Sequence, residues 1–219
     1  MNSIDSIKMT VALICICFTP GVHAQQFRAE MTAGIVGSQV SGDQLGGFNK
    51  AGLLAGIGVR TNLSEKTEAG FRMLYLQKGS RKPLKNDGTD SAFYLLRLNY
   101  IELPFTIRYH ATKNFSLEAG PSLGYLIKSY EEDENGELNF RQPFYDWDFN
   151  FNISLVYQLN KNFDFMFGYW QSILPIREHS SGAVYRLNRG QFSSMISFSV
   201  LYTIRKSLEK EQESGTSLK

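Results

Sequence analysis

The sequence of 219 residues is short of cysteine, of long apolar runs and of charge of one sign. Its two cysteines, Cys15 and Cys17, lie close to the N-terminus, so the rest of the chain has neither a disulfide nor a thiol. No apolar run approaches the ~20 residues of a membrane-spanning helix, which argues against a helical membrane protein. The formal net charge is only +2, without a block of lysine and arginine. A nucleic-acid partner is therefore not expected.

Residues 1–24 have the features of a secretory signal peptide, the alternative being a first strand or a short core helix. Lys8 precedes an apolar stretch at 11–18, and Val22-His23-Ala24 offers small residues for cleavage. Ile14 is too large for the residue before a lipidated cysteine, so a lipid anchor is not expected. The sequence predicts export with removal of both cysteines, and Met9 is an alternative start to Met1.

Alternation of apolar and polar residues is the main signal after residue 25. It is clearest at 147–159, where every odd-numbered residue from Trp147 to Leu159 is apolar and most even-numbered ones are polar. A period of two residues is typical of a strand with one apolar and one polar face. The pattern predicts eight strands, at 27–40, 51–62, 67–78, 93–109, 115–128, 147–159, 163–169 and 192–205.

The fourth predicted strand changes its pattern halfway along. Apolar residues occupy even positions up to Tyr100 and odd positions from Ile101 onwards. A strand changes parity only where an extra residue is inserted, so we predict a β-bulge at Tyr100 and Ile101. Pro104, which has no N–H to donate to a ladder, fits an irregularity there.

The connections alternate between short and long. Those at 63–66, 111–114 and 160–162 are short, whereas those at 41–50, 79–92, 131–146 and 174–191 are long and polar. This layout predicts an all-β fold: an eight-stranded antiparallel up-and-down transmembrane β-barrel with short periplasmic turns and long extracellular loops. We expect a signal peptide at 1–24, a barrel domain at 25–205 and a polar tail at 206–219, forming a monomer in the cell outer membrane.

The polar faces indicate the interior of a narrow barrel. They carry many glycines beside serine and asparagine, small residues that suit a tight lumen, whereas a surface in water would favour Lys, Glu and Thr. Their charges also balance, as buried charges must. We therefore place the apolar faces in lipid; a soluble lipocalin-like lipid-binding barrel with these faces inside is the alternative. The charged residues expected to meet in the lumen are Arg28, Glu30, Arg60, Glu68, Arg72, Glu102, Arg108 and Glu118.

The segment Leu98-Asn99-Tyr100-Ile101-Glu102-Leu103-Pro104 resembles the "NYIELP" segment of the PorT-like outer-membrane β-barrel proteins of Bacteroidota. Its surroundings are similar too: 46–52 upstream, 76–79 after the third strand and 115–121 downstream. The resemblance covers essentially all of the chain after residue 24. It implies a non-enzymatic outer-membrane barrel, and it links the chain to protein secretion. Such barrels usually end on an aromatic residue of the last strand, whereas here a polar tail follows Arg205.

Catalytic and metal sites are poorly supported by the sequence. Beyond residue 24 the histidines are His110 and His179, which have no metal-ligand spacing, so neither a metal nor a cofactor is expected. His179 and Ser181, with Glu178 beside them, form one catalytic-looking group, since a histidine can act as base towards a serine. An outer-membrane lipid-modifying hydrolase is therefore the alternative function.

Two charged sets lie near the predicted loops. The basic set is Lys78, Arg81, Lys82 and Lys85, and the acidic set is Glu131, Glu132, Asp133 and Glu134. The sets could pair with each other, or the basic set could bind lipopolysaccharide phosphates with divalent ions on the acidic set. The function expected from the sequence is binding of a ligand, a partner protein or lipopolysaccharide through the loops, since rigid scaffolds commonly carry function on loops.

Overall fold

Strands form at all eight places where the alternation predicts them. The computed structural model describes residues 27–42, 45–82, 93–138, 143–178 and 190–204; the predicted signal peptide and polar tail lie outside them. A ninth strand of two residues folds back onto the strand before it. The strands are β1 (Arg28–Ser41), β2 (Lys50–Asn62), β3 (Thr67–Lys82), β4 (Tyr94–His110), β5 (Phe115–Asp133), β6 (Gly136–Glu137), β7 (Trp147–Gln158), β8 (Phe163–Ser172) and β9 (Phe192–Ile204).

The sheet closes on itself. Each long strand pairs antiparallel with its neighbour in sequence, and β1 pairs with both β2 and β9, so that Ala33 lies between Ala55 and Val200. The predicted closed eight-stranded antiparallel barrel is confirmed. Closure leaves no unpaired edge among the long strands. Among the described residues no helix is long and apolar enough to cross a membrane.

The two ends of the barrel differ, and we name them by their connections. At the turn end, tight connections at 63–66, 111–114 and 159–162 join β2 to β3, β4 to β5 and β7 to β8. The N–H of Leu63 donates to the carbonyl of Thr67 at 2.8 Å, and that of Leu159 to the carbonyl of Phe163 at 3.0 Å. Asn160 Oδ1 also accepts from the Phe163 N–H at 2.9 Å, which shapes the turn. The opposite end is the loop end.

The outer wall is apolar over the turn-end half and the middle of the barrel, whereas the inner wall carries most of the buried polar and charged residues. On β9, Phe198 is 54% exposed on the outside while Ser197 is fully buried inside. Residues of even number face inwards on β1 to β4, β7 and β8, and so do the odd-numbered residues of β9. Such an apolar wall is stable only in contact with lipid.

The predicted parity change occurs on β5 and not on β4. Leu98, Tyr100 and Glu102 are all fully buried on the inner wall, so β4 keeps one parity throughout. Asn99 pairs with Lys128 and Tyr100 with Leu126, which leaves Ile127 of β5 as the extra residue. The expected bulge therefore lies at the right level but on the other strand. The apolar residues of β4 stay inside because the interior itself becomes apolar at this level.

An apolar cluster occupies the interior at the loop end. It consists of Val40, Leu96, Leu98, Tyr100 and Ile176, all fully buried. Ile176 belongs to the segment after β8, and its carbonyl accepts from the Tyr145 N–H at 2.8 Å. The outer wall beside the cluster is polar. Near the loop end the outer wall is thus polar and the interior apolar, as in a part of a barrel that projects into water.

Candidate functional site: the charged lumen

Glu118 of β5 lies at the centre of an ion network in the turn-end half of the lumen. Its carboxylate accepts from Arg60 Nη2 of β2 at 2.9 Å, from Arg108 Nε of β4 at 2.9 Å and from Arg72 of β3. Arg60 Nε also donates to Glu30 Oε1 of β1 at 2.6 Å. One fully buried carboxylate therefore joins three guanidinium groups from three strands.

The network reaches both walls of the lumen. Arg108 Nη1 lies 2.8 Å from Asp164 Oδ2 of β8, so the side chain crosses the interior from β4. At the mouth, Arg28 pairs with Glu68, which also lies 3.7 Å from Arg60 Nε. Each pair exchanges part of the hydration that the charges lose on burial for a charge-assisted hydrogen bond.

Glycines on β2 and β3 make the space for these arginines. A Cβ at Gly58 would lie 2.4 Å from Arg72 Cγ, and one at Gly70 would lie 3.2 Å from the Arg60 guanidinium group. The small residues of the inner wall thus hold long charged side chains, because an eight-stranded barrel leaves only enough interior for its own side chains.

A second charged cluster lies nearer the loop end. The ammonium group of Lys78 pairs with Glu102 and lies 3.0 Å from Asp148 Oδ2, and all three side chains are buried. Ser122 Oγ donates to Glu102 Oε2 at 2.6 Å, and Asn150 Nδ2 donates to Glu102 Oε1 at 3.2 Å. Lys78 also stands over the Tyr100 ring, 4.9 Å from its centroid.

The structure places all eight predicted lumen residues on the inner wall but divides them between the two clusters. Arg28, Glu30, Arg60, Glu68, Arg72, Arg108 and Glu118 form the turn-end network, whereas Glu102 belongs to the second cluster. Sequence reasoning missed Asp148 and Asp164 as partners. Both occupy polar positions of clearly alternating strands, so the signal was present, but their cationic partners lie on strands distant in sequence.

Several predicted loop-surface residues have other positions. Lys78 is inside the lumen and not on a loop, because β3 continues to Lys82. Glu131 is buried, because β5 turns this residue inwards after the extra residue Ile127. Arg81 and Glu134 are exposed, Lys82, Glu132 and Asp133 are half-buried, and Lys85 lies outside the described residues.

Glu131 ties the segment after β8 to the barrel wall. Its carboxylate accepts from Arg177 at 2.7 and 3.1 Å. Arg177 also donates to Gln191 Oε1 at 2.6 Å and stacks on Phe144, with its Cζ 4.2 Å from the ring centroid. These contacts attach the segment after β8 to β5 and to Gln191, which directly precedes β9.

Buried side chains of the described residues occupy the interior from the turn-end network to the loop-end cluster. An apolar layer of Val36, Leu54, Leu74, Leu76, Trp170 and Met195 lies between the turn-end network and the loop-end cluster. A cavity of ~30 Å³ at the turn-end mouth, beside Arg28 and Glu68, has room for about one water molecule.

The catalytic-looking group lies mostly outside the described residues. His179 and Ser181 lie outside the described residues, and Glu178 is exposed, with Tyr145 OH 3.4 Å from its Oε1. Within the described ranges no three His, Cys, Asp or Glu side chains form a group that could hold a metal ion.

Comparison with known proteins gives one family and several barrels. The family model "Outer membrane protein beta-barrel domain" matches residues 18–177. Ail of Yersinia pestis is 12% identical, with 82% of this chain and 99% of that chain covered and a TM-score of 0.49. Neisserial surface protein A is 15% identical (81% and 97% covered, TM-score 0.46), and OprG of Pseudomonas aeruginosa is 10% identical (82% and 96% covered, TM-score 0.40). No curated protein sequence matches the chain.

Proposed function

The chain belongs to the outer membrane protein β-barrel domain family and resides in the cell outer membrane, and from this premise we propose that it is a non-enzymatic barrel that acts as a closed scaffold. Its loop end binds a ligand, a partner protein or lipopolysaccharide, while its lumen transports nothing. The turn end lies in the periplasm and the loop end outside the cell, as in barrels with short periplasmic turns.

The filled lumen is the observation that carries this proposal. Glu118 and the arginines around it are 4% exposed or less, and their side chains meet across the interior. An uncompensated buried charge costs several kcal/mol, so opening a path for solutes would break pairs that stabilise one another. A barrel built in this way supports a transport role poorly.

The loop end supports binding because it is held in place. The Glu131–Arg177 pair and the buried Ile176 fix the segment after β8 on the barrel. A rigid scaffold that presents connecting segments is the usual arrangement for recognition by loops. The resemblance to PorT-like proteins supports a finer proposal, in which the bound partner belongs to a protein-secretion system.

Conductance of the refolded chain 25–219 in planar bilayers tests the closed lumen. We expect no steady current of porin size from the wild type. Arg108→Ala should produce small currents, because it removes a side chain that crosses the lumen from β4 to Asp164 on β8. The matched control is Lys113→Ala on an exposed turn, which should stay silent. Steady porin-size currents from the wild type would contradict the proposal.

Catalysis and partner binding are tested separately. Release of fatty acid from lipid A by the refolded chain, lost in His179→Ala, would contradict a non-enzymatic role. Affinity purification from a detergent extract of outer membranes should recover a specific envelope protein with the wild type. Loss of that protein when the contacts of the loop end are removed by Arg177→Ala would support binding at this end.

A further inference from the structure

Three cationic side chains line one open cleft of ~540 Å³ near the loop end. Arg81 of β3 and Arg97 of β4 lie on the outer wall, whereas Lys50, the first residue of β2, occupies an inward position, is 9% exposed and borders the same cleft. Neighbouring strands supply one cation each, so the group depends on the barrel and not on a loop. The other residues that line the cleft are Ala51, Gln77, Phe93, Leu95, Asn99 and Glu132.

The cleft lies directly beyond the apolar wall. In the strand register the row Tyr75, Ile101 and Tyr125 is followed by Gln77, Asn99 and Lys128, and Arg97 belongs to the next row. Arg97 lies four positions before Ile101, which is roughly 13 Å along a strand, or roughly 10 Å along the membrane normal at a typical tilt. Long cationic side chains reach back towards the interface, so the three cations occupy the headgroup region.

Among the described residues that line the cleft, cations outnumber carboxylates. In the part of the chain that the structure describes, no ion pair joins Lys50, Arg81 or Arg97 to a carboxylate. The Lys50 ammonium donates to the Ala51 carbonyl at 2.6 Å, and the Arg97 guanidinium lies 5.8 Å from the centroid of the Tyr130 ring. Burial lowers the pKa of Lys50, and the nearby Arg97 and Arg81 lower it further.

One carboxylate lines the cleft but points to another partner. Glu132 Oε2 accepts from Tyr130 OH at 3.1 Å, and this hydrogen bond is the main reason that the pKa of Tyr130 is raised. With three cations against one carboxylate, the cleft has a clear excess of positive charge. An anion that enters it relieves the repulsion among the three cations.

We propose that this cleft binds a phosphate group of lipopolysaccharide in the outer leaflet, a site that rests on the outer-membrane scaffold proposed above and assigns one ligand to it. The guanidinium groups of Arg81 and Arg97 can each donate two hydrogen bonds to one phosphate, a geometry that suits arginine. Phe93 and Leu95 supply apolar surface beside the cations. The acyl chains of a lipid whose phosphate lies here would run along Ile101 and Tyr75, which form the apolar wall below.

The experiment measures lipid binding to the purified exported chain in detergent by native mass spectrometry. The probes are bisphosphorylated lipid A and the same lipid A after removal of both phosphates. The test variant combines Lys50→Gln, Arg81→Gln and Arg97→Gln. The charge-matched control combines Lys66→Gln, Lys113→Gln and Lys161→Gln, all exposed at the turn end. A heat-sensitive shift in gel mobility verifies that each barrel is folded.

We expect the test variant to bind bisphosphorylated lipid A about tenfold more weakly than the wild type, because charge-assisted hydrogen bonds to phosphate are lost. The control should bind as the wild type does, and dephosphorylated lipid A should bind all three proteins equally. Equal affinity of wild type and test variant for the bisphosphorylated lipid would overturn the site. Displacement of the lipid by millimolar inorganic phosphate would overturn its assignment to a lipid headgroup.

Failure of the site is distinguishable from failure of the scaffold proposal. The lipid measurement compares the affinity of folded barrels for lipid A and depends only on the cleft. The scaffold proposal fails instead through porin-size conductance or lipid A hydrolysis, and neither result depends on Lys50, Arg81 or Arg97.

Discussion

At the scale of residues, the two walls of the barrel are most clearly distinguished by Phe198, which faces outwards, and Ser197, which faces the lumen. The two residues are neighbours in sequence, yet one is 54% exposed and the other fully buried. Phe198 packs on Phe167 of β8, with ring centroids 4.8 Å apart. The apolar side chain is thus part of a continuous wall that only a hydrocarbon environment can solvate.

Phe198→Arg should destabilise the barrel in lipid vesicles by ~2–4 kcal/mol, the cost of a lipid-facing arginine near the midplane. The control is Asn135→Arg, exposed in the connection between β5 and β6, where a change near zero is expected. The free energy of unfolding in denaturant, measured in the bilayer, decides the outcome. A Phe198→Arg barrel as stable as the wild type would mean that this face does not contact lipid.

Residue identities inside the barrel were largely predictable, whereas their partners were not. Period two placed Arg60, Glu118 and Asp148 on the polar face, because each lies on a strand with clear alternation. Lys78 was misplaced because the stretch from Lys78 to Lys82 has no apolar residue to reveal its alternation. Pairing depends on register and strand stagger, which a single strand's pattern does not contain.

At the scale of elements, β4 and β5 show why strand alternation can be misread where the interior of the barrel is apolar. The expected bulge assumed that every apolar residue faces lipid. Leu96, Leu98 and Tyr100 instead pack in the loop-end cluster, so β4 needs no inserted residue. The extra residue Ile127 in β5 brings Glu131 inside, where Arg177 meets it.

The Glu131–Arg177 pair should show energetic coupling. In a double-mutant cycle with Glu131→Ala and Arg177→Ala we expect a coupling energy of ~0.5–3 kcal/mol, since both side chains are buried and in contact. Unfolding of the four proteins in detergent measures it. The control pair is Glu131→Ala with Lys161→Ala, at opposite ends of the barrel, which should be additive. Additive effects of Glu131→Ala and Arg177→Ala would show that the contact does not fix the loop end.

At the scale of the whole molecule, the difference between the two ends is the basis of the proposed orientation. The turn end carries the compact connections, and the loop end carries the fixed segment around Arg177 and the cationic cleft. Closure, strand number and strand order were predictable from the sequence, because eight alternating segments with short turns allow few other arrangements. The apolar interior at the loop end was not, since it reverses the sidedness on which the strand assignment was based.

Cysteine labelling on intact cells tests this orientation. The exported chain has no cysteine if both are removed with the leader, so a single introduced one gives an unambiguous signal. Asn135→Cys, exposed at the loop end, should react with a membrane-impermeant reagent, whereas Lys161→Cys, exposed at the turn end, should react only after the outer membrane is permeabilised. Labelling of Lys161→Cys alone would place the turn end outside the cell.

The polar outer wall beyond the row of Tyr75, Ile101 and Tyr125 has a consequence for the rate of biogenesis. If the turn end lies in the periplasm, as proposed, the strand tips with Arg81, Arg97 and Lys128 must cross the hydrocarbon before they reach water. Each such cation costs ~2–4 kcal/mol at the midplane. The finished barrel is free of this penalty, but the inserting one bears it. We therefore expect unassisted insertion into vesicles to be slower in thicker bilayers, which a series of lipids of increasing chain length would measure.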